Sequence, residues 1–247
     1  MRNVANTAGQ RDRPDDGALL ALFRAIACRD DVGTSRWLDS SHDLAVCPIH
    51  VGASRQDAET YFLTAIDHYV YAGDTALHIA AAAHHRDLAE ALVTTGADAR
   101  ARNRRGAEPL HYAVYGSPGA SQWVGGAQRD VITYLIEVGA GPNTLDKSGV
   151  TPLHRAVRNR CSAAVRALLE NGADPLLMNK NGSTPLHLAV QNTGKSSSGS
   201  EAAKDEQGRI IVFLLEHGAS PTDADATGKT VASVATSVWI RDLLGAR

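Results

Sequence analysis

Aromatic residues are scarce: three Phe, three Trp and six Tyr in 247 residues. A core of large rings is therefore excluded, and the many Ala and Gly suit thin, close-packed helices. Cysteine is scarcer still. Cys28, Cys47 and Cys161 are odd in number and far apart, which fits free thiols in a reducing compartment better than a disulfide framework. No run of about 18 apolar residues occurs, so no membrane span is expected. The opening MRNVANTAGQRDRPDD has no apolar region of the kind a secretory signal carries, so the expected location is cytoplasmic. Neither sign of charge dominates. With 25 Lys and Arg against 27 Asp and Glu, the net charge of −2 gives no global reason to expect nucleic acid or an anionic membrane. What is present, 43% hydrophobic and 21% charged residues, argues for a folded chain of one or two domains.

The chain repeats itself. GDTALHIAAA from Gly73, GAEPLHYAVY from Gly106, GVTPLHRAVR from Gly149 and GSTPLHLAVQ from Gly182 share a pattern, and GKTVASVA from Gly228 is a fainter fifth copy. The intervals between those glycines are 33, 43, 33 and 46, so a unit of 33 underlies all four, with 10 and 13 residues added to two of them. A Gly-Ala-Asp motif or close variant keeps the same phase at 96–98, 139–141, 172–174 and 218–220. Thr75, Thr151, Thr184 and Thr230 stand where a helix N-cap would accept an orphan N–H. Pro109, Pro152 and Pro185 follow at the first helical position, where a missing N–H costs nothing. Leu77, Leu110, Leu153 and Leu186 face the expected core. Gly96, Gly139, Gly172 and Gly218 end a second helix.

On the residues TALHIA (75–80), PLHYA (109–113), TPLHRA (151–156) and TPLHLA (184–189), with the Gly-Ala-Asp motifs in phase, the chain over about 73 to 244 resembles the ankyrin repeat family. The resemblance implies an all-α solenoid of stacked antiparallel helix pairs with β-hairpin fingers. It also implies protein binding through the fingers and inner helices. It gives Thr75, Thr151 and Thr184, with His78, His111, His154 and His187, a structural role, the His tying one hairpin to the next. Two departures stand out: Ala76 replaces the usual Pro, and Glu108 replaces the usual capping Thr.

The expected layout is a disordered N-terminus at 1–15 and one solenoid at 16–247. Within it lie an N-terminal capping helix pair at 16–40 and an insertion at 41–72, with an extra helix expected at 55–66. Full repeats follow at 73–105, 106–148, 149–181 and 182–227, then a shortened cap at 228–247 closed by Trp239, Ile240, Leu243 and Leu244. The inserts near 117–126 and 193–205 both fall between an inner and an outer helix. They read as tolerated surface loops, or as a second contact surface anchored by Trp123.

Catalytic chemistry finds little support. AVQNTGKS (189–196) permissively matches a phosphate-binding loop, but it starts inside a helix and follows no strand. Cys47-Pro-Ile-His50, with His42, Asp67 and His68 nearby, is half a zinc set on an irregular segment. Cys161 occupies a helix–helix turn and reads as structural. No cofactor or metal is implied, and the chain is expected to be a monomeric, non-catalytic binder.

The repeat phase predicts a concave face whose partner-binding residues are Arg102, Arg104, Arg105, Tyr112, Tyr115, Lys147, Arg155, Arg158, Lys180 and Gln191. Lys229 adds another cation, and Asp74 is the one acid assigned to that face. The first expectation is therefore an acidic protein surface or extended acidic peptide, with Tyr112 and Tyr115 as anchors. The alternatives are a polyanion or nucleic-acid binder using the same fingers, and an enzyme or metal site in the 40–74 segment.

Overall fold

The computed structural model describes residues 14–116, 123–191 and 200–245. The chain opens with α1 (Asp16–Ala27) and α2 (Asp31–Ser40), then a short α3 (Asp43–Val46). Asp15 belongs to the folded part and not to a disordered leader. Its side chain accepts the Ala18 N–H at 2.9 Å and caps α1. Residues 1–13 lie outside the described chain. Two short antiparallel strands, β1 (Phe62–Leu63) and β2 (His68–Tyr69), pair Phe62 with Tyr69 and Leu63 with His68.

Four helix pairs follow. They are α4 (Ala76–Ala82) with α5 (Arg86–Thr94), and α6 (Pro109–Ala113) with α7 (Gly125–Glu137). Then come α8 (Pro152–Arg158) with α9 (Ser162–Glu170), and α10 (Pro185–Ala189) with α11 (Glu201–Glu216). The short α12 (Val231–Val234) and α13 (Val238–Leu243) close the stack. Inner helices α4, α6, α8 and α10 pack in succession, as do outer helices α5, α7, α9 and α11. Leu77, Leu110, Leu153 and Leu186 are each fully buried between them. Each such side chain contributes about 1.5–3 kcal/mol of burial, the largest favourable term in a stack with few rings.

One histidine per repeat joins neighbours. Thr151 Oγ1 accepts the His154 N–H at 3.3 Å and lies 2.8 Å from His154 Nδ1. The Thr hydroxyl can then donate to Nδ1, which leaves the proton on Nε2. Nε2 donates to the next repeat's loop: His78 to the Ala107 carbonyl, His111 to Val150, His154 to Ser183 and His187 to Lys229, at 3.0–3.2 Å. These links span 29, 39, 29 and 42 residues, so the same bond is kept while 10 and 13 residues are looped out of it. Burial pushes His78 down to about 4 and His111 to about 3, and lowers His154 as well.

The two long repeats carry a second device. Where the chain leaves the inner helix, buried Gln128 donates to the Ala113 and Tyr115 carbonyls, both at 3.0 Å. Gln207 does the same to Ala189 and Gln191 at 2.6 and 3.0 Å. The preceding repeat adds His84 on the first pair of carbonyls and Arg160 on the second. Both donors have positive φ, 52° and 55°, at the tight turn between their own helices. Carbonyls freed by an insert are thus each satisfied twice.

The extra helix expected at 55–66 does not form. That segment holds two single turns, Glu59–Tyr61 and Thr64–Ile66, on either side of β1. The reason is tertiary. Val70 accepts the Ala53 N–H and donates to the Tyr61 carbonyl, both at 2.8 Å, while Ile49 exchanges bonds with Gly73 and Asp74. A continuous helix would engage the Tyr61 carbonyl internally. The additional residues therefore lengthen the first finger, between Ala53 and Val70. At the other end Ile240 and Leu244 are buried and Trp239 is half-buried, but Leu243, expected in the closing core, is 37% exposed.

Candidate functional site

The fingers are tight turns built by one side chain. Three residues before a turn glycine stands Asn103, Asp146, Asn179 or Asp225. Its Oδ1 accepts N–H groups two and four residues ahead: Arg105 and Ala107, Ser148 and Val150, Asn181 and Ser183, Thr227 and Lys229. The glycine that follows has positive φ, +66° at Gly149, where a Cβ would stand 2.9 Å from the Lys180 backbone nitrogen. The fingers stack through single backbone bonds, Arg104 N–H to Ala72 and Lys147 N–H to Arg105. This geometry turns the Asx side chain inward and leaves the next one or two residues at the tip. Arg104, Arg105, Lys147 and Lys180 are exposed there, as is Lys229.

Three acids of this region face the other way, whereas Asp225 in the last finger is half-exposed and Asp57, Glu59 and Asp67 of the first finger are exposed. Asp74, Glu108 and Asp146 are all buried. Asp74 accepts the Tyr71 N–H at 2.7 Å and Asn103 Nδ2 at 2.8 Å, and the Tyr112 hydroxyl lies 2.8 Å from both its oxygens. Burial outweighs these bonds and pushes Asp74 up to about 6. Burial also works to raise Asp146, but bonds from Arg155, Val150 and Ser148 win and hold it below the usual carboxylate range. Glu108 caps α6 in place of Thr. Burial raises its pKa, and its Oε2 has no hydrogen-bond partner among the described residues.

The expected partner-binding residues divide into two groups. Arg102, Arg104, Arg105, Lys147, Arg158, Lys180 and Gln191 are exposed, although Arg102 pairs with Glu108 at 3.1 Å and Arg104 bonds the Ala53 carbonyl. Arg155 is not a free cation: its side chain is 12% exposed and bonds Asp146 at 2.5 Å. Tyr112 is not an open anchor either, being 1% exposed. The reason is the lengthened first finger, whose His68 lies with its ring centroid 4.4 Å from that of Tyr112 and 4.5 Å from that of Tyr115. Asp74, the acid assigned to the face, is buried as well. Tyr115 is half-buried, with the Arg155 guanidinium 5.9 Å from its ring centre. Tyr71 joins the surface from the first finger, with Arg105 and Arg104 at 4.8 and 5.4 Å over its ring.

Other sequence candidates fall elsewhere. Trp123 Nε1 donates to Gln128 at 3.3 Å, and Cys161 Sγ lies 2.8 Å from the same amide oxygen. The central part of each insert, 117–122 and 192–199, lies outside the described residues, and so does most of AVQNTGKS. His50 Nδ1 lies 3.2 Å from Asp16. Among the described residues no group of three or more His, Cys, Asp or Glu could hold a metal, and no helix is long and apolar enough to cross a membrane.

The family model described as ankyrin repeats (3 copies) matches residues 49–128 and 120–225, well over half of the chain. The chain belongs to the ankyrin repeat family, whose members are in general non-catalytic protein-interaction modules. No curated protein matches it.

Proposed function

We propose that this chain is a non-catalytic binding module that receives an acidic protein surface or extended acidic peptide along its fingers and inner helices. One observation carries this reading. On a chain of net charge −2, the finger tips present Arg104, Arg105, Lys147, Lys180 and Lys229 outward, while Asp74, Glu108 and Asp146 are turned into the fold and half-exposed Asp225 closes its own loop. Such a one-sided field speeds association with an acidic partner and selects against basic ones. Tyr71 and Tyr115 supply ring surface beside the arginines.

On the inner helices the open part of the face begins at Tyr115, because the first finger lies over Tyr112. The finger tips from Arg104 to Lys229 and the inner-helix positions from Tyr115 onward therefore carry the interaction. Selection from a displayed library of random peptides tests this. The intact chain should enrich Asp- and Glu-rich sequences, and a variant carrying Arg105→Glu, Arg158→Glu and Lys180→Glu should lose them. Enriched peptides without acidic bias, or equal binding by the variant, would sink the proposal.

A further inference from the structure

Between the second and third fingers a pocket of about 240 Å³ opens, lined by Arg105, Tyr115, Asp146, Ser148, Arg155 and Arg158 among others. Its charges sort into a closed pair and two open ones. Asp146 gives one oxygen to Arg155 at 2.5 Å and the other to the Ser148 and Val150 N–H groups, so this pair is neutral and held in place. Arg105 donates to the Tyr71 hydroxyl at 2.8 Å and lies over its ring, and Arg158 is exposed; neither pairs with an acid among the described residues. The pocket therefore carries two uncompensated guanidinium groups beside the Tyr115 ring and the exposed Ser148.

We infer that this pocket is a socket for a phosphomonoester carried on a side chain of the bound partner. A phosphorylated side chain brings a charge of about −1.5 to −2, which two guanidinium groups balance, whereas a carboxylate leaves one of them unmatched. The planar fork of Arg suits phosphate oxygens in bidentate pairs, and the Arg155–Asp146 pair fixes the wall against which they close. The Tyr115 ring offers a flat surface to the group that bears the phosphate. Such a socket presumes that the concave face is the binding face, as proposed above.

Titration of the isotopically labelled full chain with phenyl phosphate, inorganic phosphate and benzoate, read by amide chemical shifts, tests it. Phenyl phosphate should shift the Tyr115, Ser148 and Arg158 signals saturably. It should bind about tenfold more tightly than benzoate, and more tightly than inorganic phosphate. A variant carrying Arg105→Gln and Arg158→Gln should lose at least about tenfold in affinity with the rest of its spectrum unchanged, since both side chains are exposed. Arg158→Gln alone provides the same reading if the double variant misfolds. Absence of saturable shifts at these residues, equal binding of benzoate, or unchanged affinity in the variants would each overturn the socket. If acidic unphosphorylated peptides were still selected in that case, the socket would fail and the concave-face reading would stand. The titration needs no peptide, so it judges the socket whatever the selection returns.

Discussion

Acidification should destabilise this protein through its interior histidines. In the folded chain His78 titrates at about 4 and His111 at about 3, against 6.5 for the free side chain, because burial disfavours their charged forms. Between about pH 6 and pH 4 the unfolded chain binds a proton on each, and the folded chain on neither. Folded pKa values depressed below the unfolded ones give stability that is complete above pH 6.5 and is lost as pH falls. Asp74 works in the opposite sense. Its folded value of about 6, against 3.8, makes the folded chain hold a proton that the unfolded one lacks. Two protons less one leaves a net uptake of about one on unfolding, or about 1.4 kcal/mol per pH unit and about 3 kcal/mol between pH 6 and pH 4. His68, His84 and His154 are shifted in the same direction as His78 and steepen the loss, while Glu108, raised by burial like Asp74, opposes it. Guanidinium-induced unfolding followed by circular dichroism at several pH values checks the slope. His111→Gln removes one titrating group, so its slope should fall by about one proton relative to the parent. A stability that is flat or rises on acidification, or a His111→Gln slope equal to that of the parent, would refute the reasoning.

Three further outcomes follow from the packing. Leu153→Ala deletes a fully buried side chain in a central repeat and should cost about 2–5 kcal/mol, seen as a lower melting temperature. Glu108→Thr replaces a buried carboxylate that has an unpartnered oxygen with the cap used at Thr151 and Thr184; thermal melting should show a gain of about 1 kcal/mol. Cys161, buried with its thiol pushed up to about 11, should resist alkylation in the native state while the exposed Cys28 reacts, as peptide mass mapping over time would show.

Some of this architecture is written in local patterns. The Thr caps, the first-turn prolines and the buried leucines recur at a fixed period, and each acts within one turn of helix, so counting along the chain finds them. The Asx residues of the fingers were equally legible. Asn103, Asp146, Asn179 and Asp225 each precede a turn glycine by three, and that spacing is the signal for a side chain closing its own loop. Gln128 and Gln207 were not legible in this way. Each is polar at an otherwise apolar helix position, and its partners are carbonyls 13 to 18 residues back, across an insert of arbitrary length.

The sequence by itself determined the repeat, its phase and the residues placed at the finger tips, because helix caps, turn glycines and Asx loops are set by neighbours a few residues apart. Only the tertiary structure decided which parts of that face stay open. Tyr112 is interior because His68, from a finger lengthened by residues 54–69, packs onto its ring. Arg155 is not a free cation because Asp146, nine residues earlier, folds back to meet it. Burial and charge pairing depend on what the rest of the chain brings alongside. Periodicity fixes the direction in which a side chain leaves its own helix, and it carries no information about what arrives to cover it.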